Sequence, residues 1–308
     1  MSLLLVAVGV ALLYWGGEQL VTNASHLARR LNISPLVIGL SIVAFGTSAP
    51  ELAATLMSAF AGVPELAVGN VIGSNIANIG LILGLTAVLY PLVATRTILR
   101  LEIPLMIAIC AVSIPLLADG NVSRFEGGLL VAGLGLYLWL LFARNPSSFD
   151  DEVAKPQESG TPLWRLGIGL GLGILLLVGG ARALVLGAVT IARMFAVPEE
   201  VIGLTLVAFG TSLPELASSI VAALKRETDI LLGNIIGSNV FNVLAVLGLT
   251  SLVHPLTQSF MSIRLDLFIM LAFCAALPLL MLRQRRLGRI GGTGLVVAYI
   301  AYAVALFL

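Results

Sequence analysis

The stretch Ala44–Leu52, AFGTSAPEL, returns almost unchanged 164 residues later as Ala208–Leu216, AFGTSLPEL. The offset holds without a gap from about Ile38 to Pro91, paired with Ile202 to Pro255. Within the same window Gly69–Asn78, GNVIGSNIAN, matches Gly233–Asn242, GNIIGSNVFN. Each copy sets one glutamate, Glu51 or Glu215, inside an apolar stretch long enough to cross a bilayer. A carboxylate at the centre of a membrane helix costs roughly 2.5–3.5 kcal/mol on insertion scales. Two of them at matched places in a duplicated chain point to one shared cation site.

The membrane setting follows from composition. The chain is 59% hydrophobic and 11% charged, with a mean hydropathy of +1.07. A soluble domain carries about 25% charged residues. A net charge of +1, with no basic run interleaved with aromatics, gives no sign of nucleic-acid binding. The apolar N-terminus lacks a charged leader and a clear cleavage site, so it reads as a retained first span. Cys110 and Cys274 fall inside spans and read as small buried apolar residues, not as a disulfide or metal ligands.

Spans of about 20 apolar residues are expected at about 3–28, 36–60, 66–90, 101–118, 125–143, 165–193, 200–224, 230–254, 262–282 and 290–308. The first and sixth run long and imply tilt. Alternate connections carry Arg29, Arg30, Arg96, Arg100, Arg144, Lys155, Arg165, Lys225, Arg226, Arg283, Arg285, Arg286 and Arg289. Arg124, Arg193 and Arg264 fall on the other side, with Arg182 inside a span. Positive charge marks the cytoplasmic side, which places both termini outside the cytoplasm. Five spans per half make the second half enter the membrane from the opposite face. The expected fold is therefore an all-α membrane protein of ten transmembrane helices in two inverted five-helix repeats. The repeats are residues 1–143 and 165–308, joined by a cytoplasmic linker over 144–164. That linker reads as a solvated connection, or alternatively as a small regulatory segment.

Pro50 and Pro214 each sit inside a span. Proline has no N–H for the carbonyl four residues back and clashes with it, so the Gly46 and Gly210 carbonyls lose their helical donors. Irregular backbone at membrane depth persists only where protein buries it or it lines a cavity. Carbonyls at these breaks would then face an ion; a kink that only shapes packing would not explain the glutamate after each proline. Helical spacing aligns Ala44, Thr47 or Ser48, and Glu51 on one face, and likewise Ala208, Thr211 or Ser212, and Glu215. Asn70, Ser74 and Asn78 repeat every four residues, as do Asn234, Ser238 and Asn242. Gly69, Gly73, Gly233 and Gly237 would allow close helix approach, which leaves the amide and hydroxyl stripe unexplained.

The donors are carboxylate, hydroxyl, amide and backbone oxygen. Calcium takes six to eight oxygens in flexible geometry, whereas magnesium sheds water reluctantly. Softer metals favour imidazole or sulfur. Two glutamates are neutralised by one divalent ion or two monovalent ones, so calcium and sodium can exclude one another.

G-T-S-x-P-E followed by G-S-N-x-x-N, occurring twice in that order, closely resembles the two alpha-repeats of the sodium/calcium exchanger family, within the cation/calcium antiporter superfamily. The match covers about residues 36–91 and 200–255. The resemblance implies broken helices 2, 3, 7 and 8 forming a core in which calcium and sodium bind alternately. It implies as metal ligands Ala44, Thr47, Ser48, Glu51, Ser74, Asn78, Ala208, Thr211, Ser212, Glu215, Ser238 and Asn242. The glutamates would bridge calcium and sodium sites, and Thr47 and Thr211 would offer backbone oxygens. Many family members carry aspartate where this chain has Asn78 or Asn242, so a third carboxylate is missing here. The linker leaves no room for the calcium-sensing domains of animal exchangers.

The expected function is a secondary antiporter, not an enzyme, exchanging calcium for sodium by alternating access at a midplane site. Spans 1 and 6 would move against the core. Calcium/proton antiport and potassium-dependent exchange are the alternatives. A channel suits a self-contained duplicated chain poorly, and an intramembrane hydrolase would need a nucleophile with a base such as histidine. The partners are the two ions and the bilayer, with no cofactor and no obligate protein partner evident. A prokaryotic plasma (inner) membrane is the expected location. Glu18 and Arg182, in the long spans, read as structural or gating residues, and Glu102 and Asp266 as anchors at helix ends. His26 and His254 lack a partner for a proton relay.

Overall fold

The structure, a computed structural model, describes residues 2–144, 161–195, 197, 208–281 and 285–306. Most of the expected linker and the start of the expected seventh span, 200–207, lie outside the described residues. The first half comprises α1 Ser2–Leu31, α2 Pro35–Thr47, α3 Ala49–Phe60, α4 Pro64–Leu89, β1 Leu92–Val93, α5 Ile98–Leu117, β2 Asn121–Val122 and α6 Arg124–Arg144. The second comprises α7 Leu163–Met194, α8 Ala208–Thr211, α9 Leu213–Leu224, α10 Thr228–Val253, β3 Leu256–Thr257, α11 Phe260–Met281, β4 Arg286–Leu287 and α12 Arg289–Ala305.

Among the described residues, seven helices are long and apolar enough to span a membrane, or eight if the bent pair α2 and α3 counts as one span. The helices α9 and α12 are shorter apolar segments. Burial sorts the spans. In its most apolar stretch α10 is 100% buried and α4 78%, against 22–33% for α1, α5, α6, α7 and α11. The duplicated motifs therefore sit in the central helices. The outer ones turn Leu3, Trp15, Phe125, Trp139, Trp164 and Ile168 outward, as lipid contact requires.

Small residues set the helix crossings. A Cβ on Gly9 would lie 2.6 Å from the Leu184 nitrogen, and one on Gly16 2.7 Å from that of Leu177. From the other side, Gly173 would meet the Leu20 nitrogen at 2.7 Å and Gly180 that of Leu13 at 2.8 Å. The long helices α1 and α7 thus touch backbone to backbone. Gly127 approaches Gly248 and Leu252 of α10 just as Gly292 approaches Gly84 and Val88 of α4. The close approach expected at Gly233 and Gly237 is present, against Leu36, Leu40 and Ala44 of α2. Around Gly69 and Gly73 nothing among the described residues lies within 4 Å.

Two features were not expected. Two-residue antiparallel ribbons join the halves, pairing Leu92 with Leu287 and Val93 with Arg286, and Asn121 with Thr257 and Val122 with Leu256. A polar clasp also ties α1 to the α9–α10 hairpin. Lys225 Nζ contacts Glu18 Oε1 at 3.2 Å and Thr22 Oγ1 at 2.7 Å. Glu227 accepts from Ser25 (2.7 Å) and from Arg29 (3.4 Å). That hairpin turns through Arg226 at φ 61°, where the first half has Gly62 at φ 76°, a conformation glycine adopts without a Cβ penalty.

Candidate functional site

Each duplicated motif breaks its helix at the serine. Ser48 separates α2 from α3 at φ −82°, ψ 1°, with a 42° bend between them. Ser212 separates α8 from α9 at φ −89°, ψ 5°. The prolines stand in the first turn of the new helices, where a missing N–H costs nothing. Both glutamates follow in that first turn, near exposed N–H groups that favour an anion. The glycines do more than relax the break. A Cβ on Gly46 would strike Ile174 Cδ1 at 2.5 Å and one on Gly210 would strike Val185 Cγ2 at 2.4 Å, so both admit side chains of α7.

The two breaks meet. The Ser48 hydroxyl donates to Glu215 Oε1 at 3.3 Å and the Ser212 hydroxyl donates to Glu51 Oε1 at 3.1 Å. Each carboxylate is thus held by the other motif's serine, and both are 1% exposed. Thr47 donates to Asn234 Oδ1 at 3.0 Å and stands 3.4 Å from Ser238 Oγ. Ala44, Ser74, Asn78, Ser238 and Asn242 are all buried. Thr211 is partly exposed, and Ala208 opens α8, its side chain outside the described residues. Removing one serine hydroxyl takes away the bond that ties its carboxylate to the other motif. Were a divalent ion the cargo, as the sequence leads one to expect, Ser48→Ala and Ser212→Ala would each be expected to raise its KM about 2- to 10-fold, measured by isotope flux in liposomes.

Four oxygens here accept no hydrogen bond: Glu51 Oε2, Glu215 Oε2, Asn78 Oδ1 and Asn242 Oδ1. Buried polar atoms are normally paired. Buried acceptors without donors, two of them on carboxylates, are what a cation can satisfy. Asn78 and Asn242 each open a π-helical turn, 78–83 and 242–247, a local unwinding common at functional sites that no sequence signal announced.

Several residues form a supporting layer. Asn70 donates to the Glu51 carbonyl (3.3 Å) and to Thr55 Oγ1 (2.9 Å). Asn234 donates to Ser218 (3.2 Å) and Ser219 (3.5 Å). The helical stripe placed these two asparagines beside the site; their partners Thr55, Ser218 and Ser219 were missed. Glu102 is 4% exposed, lining a small pocket with Tyr137 and Arg144. Asp266 accepts from Tyr302 at 2.9 Å. Glu18 lies in the clasp with Lys225 rather than near the glutamates. His254 packs edge-on against Phe60, and Cys110 and Cys274 are free and buried.

A sequence model described as "Sodium/calcium exchanger protein" matches residues 1–143 and 166–308. The chain belongs to the sodium/calcium exchanger family. CaxA of Alkalimonas amylolytica is 42% identical over 98% of this chain and 97% of its own. Sodium/calcium exchanger MaX1 of Methanosarcina acetivorans is 35% identical over 99% and 98%. A structure of the sodium-calcium exchanger NCX_Mj, soaked with zero Na+ and Ca2+, superposes at a TM-score of 0.86. It is 30% identical, covering 99% of this chain and 98% of that one. Family membership makes this exchanger homologue a multi-pass membrane transporter and not an enzyme.

Proposed function

We propose that the chain exchanges calcium for sodium, extruding calcium as sodium enters, by alternating access to one site between two inverted repeats. The observation that carries this reading is the reciprocal bonding of Ser48 to Glu215 and Ser212 to Glu51, beside four buried oxygens that accept nothing. The ion ligands are Ala44, Thr47, Ser48, Glu51, Ser74, Asn78, Ala208, Thr211, Ser212, Glu215, Ser238 and Asn242. Two carboxylates among neutral oxygens suit one calcium, whose coordination is flexible, and the same charge suits two sodium ions. Sodium and calcium also stand in the name of the relative MaX1.

The repeat reading expects ten spans; the described residues hold seven helices long and apolar enough to cross a membrane, or eight with α2 and α3 as one span, and the shorter apolar helices α9 and α12 would complete the set. Paired contacts support it too: the crossings at Gly127 and Gly292, the two ribbons, and the glycines of α1 and α7 recur at an offset of 164 or 165. The repeats would be 1–143 and 165–308 with a cytoplasmic linker between them. Both termini would lie outside the cytoplasm of a prokaryotic inner membrane, by the charge bias of the connections.

The test is calcium uptake by purified protein in liposomes, with sodium, proton and potassium gradients imposed independently. An outward sodium gradient is expected to drive uptake and a pH gradient alone is not. Uptake supported only by the pH gradient would replace sodium by protons on the same two glutamates. Uptake that needs potassium with sodium would enlarge the ion set.

A further inference from the structure

Asn75 and Asn239 follow Ser74 and Ser238 and occupy matched places in the two motifs. Both are completely buried, yet they do different things. Asn75 crosses to the other half: its Oδ1 accepts from Asn242 Nδ2 at 3.1 Å and its Nδ2 donates to the Asn239 carbonyl at 3.4 Å. The same Nδ2 faces Met270 Sδ at 3.6 Å and Cys110 Sγ at 3.8 Å. Asn239 instead folds back on its own helix, donating to the Ile235 carbonyl at 2.8 Å. Its Oδ1 is buried without a donor, as is Asn78 Oδ1.

We propose that Asn75 and Asn239 are positioning residues that take turns, one crossing the repeat boundary in each access state. The inference rests on the inverted-repeat reading above. In the present state Asn75 holds the Asn242 amide by its nitrogen, leaving Asn242 Oδ1 for an ion. In the opposite state the halves exchange conformations: Asn239 crosses, accepts from Asn78 Nδ2 and donates to the Asn75 carbonyl, while Asn75 folds back on Val71. Each state then leaves one of the two amide oxygens without a donor, so neither is strongly favoured by this pair. The sulfur wall is duplicated as well. Met106 and Cys110 correspond to Met270 and Cys274, all four wholly buried, and thioethers adapt readily to a moving neighbour.

The present state is defined by α1 lying along α9, where Gly17 meets Ala217, Ser218 and Val221, and by the Glu18–Lys225 clasp. The helix α7 has no comparable packing along α3. The two asparagines therefore push in opposite directions. Nitroxides on Leu31→Cys and Leu224→Cys, both exposed positions, report the α1–α9 separation by pulsed electron resonance. Cys110 and Cys274 stay in place, being buried. Asn75→Ala is expected to raise the ratio of separated to closed populations about 2- to 10-fold and Asn239→Ala to lower it similarly. The double variant should return it towards the parent ratio. Asn75→Ser and Asn239→Ser, too short to cross, should show the same signs and stand in if an alanine variant misfolds. Shifts of the same sign, no shift in folded protein, or misfolding of all four single variants would overturn the proposal. Because the readout is a distance, it is unaffected if the driving ion proves to be a proton, and the two readings fail separately.

Discussion

Glu51→Gln and Glu215→Gln are each expected to abolish the proposed calcium exchange while the protein stays folded. Glutamine keeps the length of the side chain and an oxygen to accept from Ser212 or Ser48, whose bonds are 3.1 and 3.3 Å. It removes one of the two charges that a divalent ion meets in a site walled by buried side chains. Charge attraction at ~4 Å and an effective dielectric constant of 20 is worth about 4 kcal/mol, about a thousand-fold in affinity. Sodium-driven calcium flux should fall at least ~100-fold by that estimate, while circular dichroism and gel filtration match the parent. Flux within ~10-fold of the parent in both variants would mean that the ion passes elsewhere, since no charge-neutralising site of this kind tolerates losing half its charge.

The reasons this site was legible are local. Proline at 50 and 214 dictates a break, glutamate one residue on dictates a charge, and duplication dictates that the two belong together. Helical spacing then aligned Thr47 with Glu51 on one face and set Asn70, Ser74 and Asn78 in a stripe of their own. What escaped depends on contacts across the chain. Asn75 sits one residue from Ser74 and off the four-residue stripe, so nothing in its own segment shows that it spans to Asn242. The π turns at Asn78 and Asn242 are each followed by a glycine, Gly84 and Gly248, but glycine is spread throughout these spans and does not single out a π turn. The ribbons use two-residue strands, too short to leave an alternating pattern. The pairing of Glu18 escaped because its partner Lys225 lies more than two hundred residues away. The burial of Glu102 was not legible because Tyr137 and Arg144, which line its pocket, come from α6.

The glycine seam between α1 and α7 carries the other large effect. Gly173→Leu is expected to prevent recovery of folded protein, or to lower its Tm sharply in detergent. Its neighbours Gly171→Leu and Gly179→Leu should behave like the parent. All three are glycines on one helix with the same propensity gain on substitution, so propensity alone predicts equal outcomes. The surroundings differ. A Cβ on Gly173 would lie 2.7 Å from the Leu20 nitrogen and 3.0 Å from the Gly16 carbonyl, whereas Gly171 and Gly179 have nothing within 4 Å. The atoms in the way are backbone, which cannot rotate aside as a side chain can. Separating the helices to admit leucine would also open the contacts at Gly9, Gly16 and Gly180, since the four glycines form one line of approach. In a bilayer no hydrophobic gain offsets that loss, because lipid tails are as apolar as the leucine and helix association rests on close packing. Overpacking costs about 1–3 kcal/mol even where side chains can adjust, and here they cannot. A Gly173→Leu protein as stable as the Gly171→Leu control would show that α1 and α7 are not in backbone contact, and with that the proposal that they move as a pair would lose its physical basis.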